Sequence, residues 1–522
     1  METNTKTQEI DALLEKTDGD VKALLKDTNK LLQRKPFTRG GTFDRRSKVA
    51  KVSAGSTVTA QLPRIRKQVI TQDQYMAELD PNMHSVLFDE NIPSICVKTA
   101  ENGVMDIKFL KTAIPFQQII ADKQTLHMSC LPMKFTLSDK KPTASMQEDF
   151  VTFKHYWDLR NQDGMKVKMV NTAKSFGDAG LLYYMDRHGE IKSRLISYDD
   201  GYVICSHNDQ NGDRLLEVVY YQDENGEDCI DCWDDKNFYR IQTDINGEYT
   251  MIIEPHGFPE IPLITKRTSV AWDNGQTIIE GYERTYNIFQ VLQNKWGWGL
   301  LYVKGRIDPN AQKIAGNIVL NDVSVNPETS DAKFLDPPKP QNGIDTLEQI
   351  FSQIEIATGT TFILPKDIHT SSDTSGIAVQ MTQSLDIQTA QNGIVEWQNV
   401  ADKMVRLFKH GLAMELVNKG IKEDAVTEFA KMNINASFDI WMPYSASEYN
   451  QMLSTMKNSG ILSQRTAAEE STIGRPDEVE RLKQEEEEAI EKELEKTRRQ
   501  KELEAQYSAA QQSTQGNSKQ EE

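Results

Sequence analysis

Residues 359–418 read GTTFILPKDIHTSSDTSGIAVQMTQSLDIQTAQNGIVEWQNVADKMVRLFKHGLAMELVN. The part up to Ser375 is polar and broken by Pro365, which marks a loop. From Gly376 the pattern changes. Ile377, Met381, Leu385, Ile394, Trp397, Val400, Met404, Leu407, Phe408, Leu412 and Leu416 fall on one helical face, which predicts a single helix of about forty residues ending at Asn418. At about 1.5 Å per residue it would be about 60 Å long, more than a small domain needs and enough for a spoke across a large assembly. Asn392-Gly393 is the expected weak point. A helix this long gains stability mainly by burying its apolar stripe. The stripe is therefore expected to serve both the chain's own core and a neighbouring subunit, with Trp397 and Phe408 as interface candidates.

Working outward, two shorter helices precede the loop. One starts near 276 and carries Ile278, Tyr282, Tyr286, Phe289, Leu292 and Trp296; the other carries Ile344, Leu347, Ile350, Phe351 and Ile354. Tyr282, Tyr286 and Trp296 are further interface candidates, since aromatics are enriched at interface anchors. Between the two helices, 300–342 is short-period and Pro-containing and reads as a small α/β insert. Residues 165–265 are β-rich, with Glu224-Asn225-Gly226 and Ile245-Asn246-Gly247 as hairpin turns, and EPHGFPEIPLI closes the block at 254–264. A helix is expected over 146–160. Downstream come a strand at 436–441, a helix at 446–458, a highly charged helix from Pro476 to about Glu504, and a Gln/Ser-rich end expected to be disordered. The fold class is α+β.

The N-terminus differs in character. Residues 1–29 read as a short polar helix. Residues 30–67 hold eleven Lys and Arg against the single acid Asp44. That composition predicts a flexible basic arm able to grip DNA phosphates or an acidic neighbour. Deleting 1–60 is then expected to impair assembly while leaving subunit association intact.

The 522-residue chain carries a net charge of −18, which disfavours a simple sequence-reading DNA binder. It lacks a signal peptide pattern and any run near the ~18 apolar residues of a spanning helix, so a cytosolic site of assembly and no membrane partner are expected. Five cysteines, an odd and sparse set, point to reduced thiols. No Gly-Lys-Ser/Thr phosphate loop exists. Cys229-Ile-Asp-Cys232 lacks a second pair for a zinc site and reads as two ordinary strand thiols. His127 and His155 are expected to pack or face solvent. No catalytic, cofactor or metal residues are assigned.

The order of several phrases resembles the portal proteins of tailed bacteriophages, of the long-tailed siphophage type. These are His256-Gly257-Phe258-Pro259-Glu260-Ile261-Pro262, a helix with Tyr286-Asn287, a second with Leu347-Glu348-Gln349-Ile350, and Thr374-Ser375-Gly376-Ile377-Ala378-Val379 opening the long helix. Phe438-Asp439-Ile440-Trp441-Met442-Pro443 and Ser459-Gly460-Ile461-Leu462-Ser463-Gln464-Arg465-Thr466 follow, and then the Glu-rich helix. The resemblance implies a wing at 68–275, stem helices at 276–299 and 343–358, and a clip at 300–342. It further implies a tunnel loop at 359–375, a long wing helix with its return strand at 376–443, and a crown at 444–504, between the arm 1–67 and the tail 505–522.

The same resemblance implies a non-enzymatic ring of about twelve subunits at one capsid vertex, passing double-stranded DNA without sequence specificity and needing no cofactor. Its implied partners are the large terminase subunit, a head–tail adaptor, the major capsid protein and a scaffold protein. Lys304, Arg306, Asp308, Asn310 and Lys313 are the clip candidates for docking. Lys366, Asp367, His369, Thr370, Ser371, Ser372 and Asp373 are the tunnel-loop candidates. A sliding surface should offer few cations, because each neutralised phosphate tightens binding; Lys366 is the loop's lone cation and is offset by Asp367 and Asp373. The alternatives are another head-structural or scaffold-associated protein without a DNA channel, and an enzyme such as a carboxylate-metal nuclease, which no motif favours.

Overall fold

The computed structural model describes residues 19–43, 65–92, 95–98, 104–107, 110–139, 142–243, 249–296, 300–304, 313–314, 317–318, 331–335, 341–362, 381–442, 446–463, 466–467, 471, 481, 483–484, 487–488 and 490–502. The chain divides into two compact units, Met1–Leu364 with Gln383–Trp441, and Pro365–Thr382 with Met442–Glu522.

The first unit begins with helices α1 (Gly19–Leu25) and α2 (Thr28–Leu31) and the strand pair β1 (Phe37–Phe43) and β2 (Ile65–Ile70). Helices α3 (Gln72–Leu79) and α4 (Ser85–Phe88), the pair β3 (Ile95–Lys98) and β4 (Val104–Ile107), helix α5 (Phe116–Ser129) and strand β5 (Lys134–Leu137) follow. Helices α6 (Ala144–Leu159) and α7 (Gln162–Phe176) lead into the sheets. Strands β6 (Asp178–Met185), β7 (Ile191–Ile196) and β13 (Leu263–Arg267) form one antiparallel sheet, in the order β13-β6-β7. Strands β8 (Val203–Asn208), β9 (Arg214–Gln222), β10 (Asp228–Trp233), β11 (Asn237–Thr243) and β12 (Tyr249–Pro255) form a five-stranded meander.

Three hairpins of these sheets share one turn chemistry. Asp186, Asp209 and Asp223 each take the first turn position, and Gly189, Gly212 and Gly226, all at positive φ, sit three residues later. In each, the Asp carboxylate accepts backbone N–H bonds two and four residues on, at 2.8–2.9 Å. Asp supplies the acceptor and Gly the left-handed residue, which is what a three-residue hairpin requires. The sequence reading found the turn at Gly226 but not the repeat; Ile245-Asn246-Gly247 lies outside the described residues.

Helix α8 (Gln276–Trp296) and α9 (Gln341–Thr358) flank four short strands, β14 (Leu300–Lys304), β15 (Lys313–Ile314), β16 (Asn317–Ile318) and β17 (Asp331–Leu335), with β14 antiparallel to β17 and β15 to β16. The long helix α10 (Ser384–Asn418) runs unbroken through Asn392-Gly393. A Cβ on Gly393 would lie 2.5 Å from Met128 Sδ of α5, a flexible thioether. At 35 residues the helix spans about 52 Å, and the expected start at Gly376 lies outside the described residues. Helix α11 (Ala425–Lys431) and strand β18 (Ile434–Ser437), which pairs with β5, complete the unit. The expected return strand, 436–441, begins two residues and ends four residues too late.

The main core lies where α10 meets α6, α7 and β6. Trp157, Phe153 and Phe408 are each 0 % exposed, and Trp157 and Phe408 meet edge to face at 5.2 Å. Of the expected apolar stripe, the second half is buried from Trp397 to Leu416, while Met381 is 72 % exposed. In the second unit, α12 (Ala446–Asn458) forms where expected, and residues 490–502 are helical and exposed. Among the described residues, no helix is long and apolar enough to cross a membrane, and no cluster of three His, Cys, Asp or Glu could hold a metal.

Residues 19–43 correct, over that stretch, the reading of 1–67 as a flexible arm; residues 1–18 and 44–64 lie outside the described residues. Val21, Leu25 and Leu31 are buried against the five-stranded sheet. Phe37 is buried beside Tyr75, which it meets edge to face at 5.5 Å. Arg39 donates to both oxygens of Glu78 at 2.6 Å and to Asp273 at 2.8 Å. Burial works against its charge, but these bonds hold its pKa above the ordinary value. Acids far along the chain thus neutralise what looked like uncompensated charge.

Candidate functional site: the root of the central loop

Helix α9 ends in a left-handed turn at Gly359, φ +66°, and the next three residues are fixed from three sides. Glu355, one turn back, accepts from Phe362 N at 2.6 Å, and its carbonyl accepts from Thr360 N at 3.2 Å. From α10, the buried Asp386 accepts from Thr361 N at 3.2 Å, and Thr389 Oγ1 donates to Gly359 O at 2.9 Å. From α5, Gln124 Nε2 donates to Thr358 O at 2.9 Å and Thr360 Oγ1 at 3.2 Å, while Lys123 Nζ donates to Thr361 O and lies 3.8 Å from Asp386. Thr360 is 0 % exposed. A loop leaving a helix would normally strand its polar backbone; here side chains of α5, α9 and α10 satisfy it.

An aromatic group caps this root on the apolar side. Phe116, Tyr282, Phe351 and Phe362 pack within 5.3–6.2 Å of one another, and Tyr286 stacks on Tyr282 at 6.4 Å. Helices α8 and α9 approach closely beyond it: a Cβ on Gly343 would lie 2.3 Å from the Phe289 ring.

The base of α8 is tied down by a buried acid–base pair. Glu283 Oε1 accepts from Ile114 N at 2.7 Å and faces His84 Nδ1 at 2.8 Å, with both side chains at most 3 % exposed. Burial alone would depress the imidazolium, but the bond to Glu283 and its charge outweigh it, and the His84 pKa is raised. Asn287 adds bonds to Thr112 N and O at 2.8 Å each. Nothing here is arranged to attack a substrate. It is a hydrogen-bonded socket that fixes the ends of α8 and α9 and residues 359–362.

Of the sequence-derived site residues, Tyr282 and Tyr286 are half-buried within this aromatic group. Trp397 and Phe408, expected at a subunit interface, are 1 % and 0 % exposed inside the chain's own core. A neighbour could touch neither. Lys304 and Lys313 fall in β14 and β15. Arg306, Asp308, Asn310, Lys366, Asp367, His369, Thr370, Ser371, Ser372, Asp373 and the Trp296 side chain lie outside the described residues. The loop-root residues Gln124, Glu355 and Asp386 were missed; the legible signal was an acid, Asp386, set beside the apolar stripe of a long helix.

Cys229 and Cys232 lie three apart in strand β10 and therefore point to opposite faces. They could neither share a metal ion nor join in a disulfide. Burial pushes the Cys232 thiol well above its usual pKa. His127 packs edge to face on Trp441 at 5.2 Å, and the exposed His155 meets Tyr156.

Compared with known proteins, residues 73–492 match the profile of the SPP1 Gp6-like phage portal protein family. No curated protein matches. Among solved structures, a chain from the neck of an empty GTA particle aligns over 67 % of this chain and 86 % of its own, with 11 % identity and a TM-score of 0.32, too low to bear on this chain.

Proposed function

This chain belongs to the SPP1 Gp6-like family of phage portal proteins, and we propose that it assembles into a closed ring of about twelve subunits at one capsid vertex. Phage portals are non-enzymatic structural proteins of the virion and conduits for DNA packaging. In this reading 68–275 is the wing, 276–299 and 343–358 are the stem, 300–342 is the clip, 359–375 is the tunnel loop, 376–443 is the long wing helix with its return strand, and 444–504 is the crown. The observation that carries the assignment is the socket: two packed helices joined through a small β insert, with a loop whose first residues are pinned by Asp386 and Glu355.

A conduit must present a loop to moving DNA without letting the loop follow it. A root satisfied by buried bonds does this, because distorting it strands polar groups. A loop with the lone cation Lys366 limits how tightly phosphates are held. The clip, with Lys304, Arg306, Asp308, Asn310 and Lys313, would dock the large terminase subunit and then the head–tail adaptor, while the outer face would meet capsid and scaffold proteins. Apolar side chains left exposed, such as Leu292, Ile356 and Val395, are the ones available to a neighbouring subunit.

The test is native mass spectrometry with negative-stain electron microscopy of the purified chain. Rings with a duplex-wide hole and a mass near twelve times 59.3 kDa are expected. A monomer or dimer under assembly-permitting conditions would overturn the ring.

A further inference from the structure

Between the segment Lys30–Pro36, the β8–β9 turn and the end of β13 lies a cleft of about 840 Å³. Its lining holds six cations, Lys30, Arg34, Lys35, Arg214, Lys266 and Arg267, against two carboxylates, Asp178 and Asp209, in a chain whose net charge is −18. Both carboxylates are committed. Asp178 bonds Arg34 and Gln72, and Asp209 closes its own turn through the N–H groups of Asn211 and Asp213. Four of the cations are also engaged: Arg34 by Asp178, Arg214 by Glu217, Lys30 by Asp27 and Lys266 by the Glu396 carbonyl.

Arg267 and Lys35 remain. Both are exposed, and among the described residues no carboxylate bonds either. The Arg267 guanidinium lies 3.9 Å from the centroid of the Phe37 ring, and Arg34 approaches the same ring at 4.7 Å. Burial, then repulsion from Arg34, depresses the Arg267 pKa. Two guanidiniums gathered on one ring share the single Asp178 carboxylate, which of the two bonds only Arg34 and faces Arg267 across the strand pair, so a further anion relieves them. Arg267 stands at the end of a paired strand, and its planar fork matches phosphate oxygens. Asn208, Asn211 and Gln33 add uncharged donors to the lining.

We propose that this cleft holds a backbone phosphate of double-stranded DNA through Arg267 and Lys35, without reading bases. The choice of DNA among polyanions rests on the portal reading; the anion site itself does not. The site would be a fixed grip on DNA, distinct from the cation-poor tunnel loop.

The experiment is fluorescence anisotropy of a short labelled duplex with the full-length chain across a salt series, with native mass spectra of every sample. The double variant Lys35→Gln/Arg267→Gln is expected to weaken binding about tenfold at low salt and to flatten the logarithmic salt dependence by about one to two units. Arg267→Lys, which keeps the charge, should keep the slope, and the exposed Lys431→Gln should change nothing. Unchanged DNA binding by the double variant overturns the proposal. So does binding of inorganic phosphate or polyglutamate with this same variant dependence when the duplex does not bind: the first marks a free-phosphate site, the second a site for an acidic protein. Intact rings with unaltered DNA binding would sink the cleft and spare the portal reading; absence of rings in the unmodified protein would do the reverse.

Discussion

Gly359 and His84 show how single residues set the geometry of the loop and helix pair. Gly359 holds φ +66°, and a Cβ there would lie 2.4 Å from Thr389 Oγ1. Gly359→Ala is expected to cost at least about 1–2 kcal/mol from the left-handed backbone alone. It should also free the loop root, seen as a lower thermal midpoint and faster proteolysis between 359 and 381; an unchanged cleavage rate would refute the anchoring role. His84 brings a pH dependence. Its pKa is raised in the folded chain, so the pair with Glu283 contributes fully below the unfolded value of about 6.5, and that contribution is lost as pH rises through the folded pKa. The stability gap between the unmodified chain and Glu283→Gln, measured by urea unfolding, should therefore shrink as pH rises above the unfolded value and through the raised folded pKa. A gap that widens with pH would mean that the imidazole is neutral throughout.

Among the elements, the long helix is the sharpest case. Sequence reasoning took Asn392-Gly393 for its weak point, yet the closest approach is elsewhere. At Gly393 a Cβ meets the unbranched thioether of Met128; at Gly411 it meets Ile191 Cδ1 at 2.3 Å, Cγ1 at 2.8 Å and Cβ at 3.3 Å. A thioether can swing aside, whereas a β-branched side chain is stiff. Gly393→Ala is thus expected to be neutral or to gain up to about 1 kcal/mol from helix propensity. Gly411→Ala is expected to lose about 1–3 kcal/mol through overpacking. Thermal midpoints of the two variants check this, and equal midpoints would contradict it. The same helix was legible in length and face, because its period is local; its division into a buried second half and a more open first half was not, because that depends on what α6, α7 and β6 bring against it.

For the whole molecule, the N-terminal segment matters most. Read from composition, 1–67 was a flexible arm whose loss would impair assembly but not subunit association. In the fold, residues 19–43 supply Val21, Leu25, Leu31 and Phe37 to two cores and Arg34 and Arg39 to partly buried ion pairs. Burying each large apolar side chain contributes about 1.5–3 kcal/mol. Deleting 1–43 is therefore expected to destabilise the chain by more than about 5 kcal/mol and to lower its soluble yield, rather than merely impair assembly. A truncated chain with an unchanged unfolding transition would restore the arm.

What the sequence determined by itself was the portal family, the α+β class, the helices at 146–160 and from 276 onward and the hairpin at Gly226; it missed α3 and α5 and read 165–176, which is helix α7, as part of the β-rich block. What it determined rests on periodicity, on turn residues such as Asn225-Gly226 and on ordered phrases, all of which act over a few residues. Only the tertiary structure decided that Arg39 is neutralised by Glu78 and Asp273, that Trp397 and Phe408 belong to the chain's own core, and that Asp386 holds the loop root. Each of these joins residues tens to hundreds of positions apart. Such partners leave no mark in local spacing: a cation looks unpaired, and an aromatic looks available, until folding brings its partner to it.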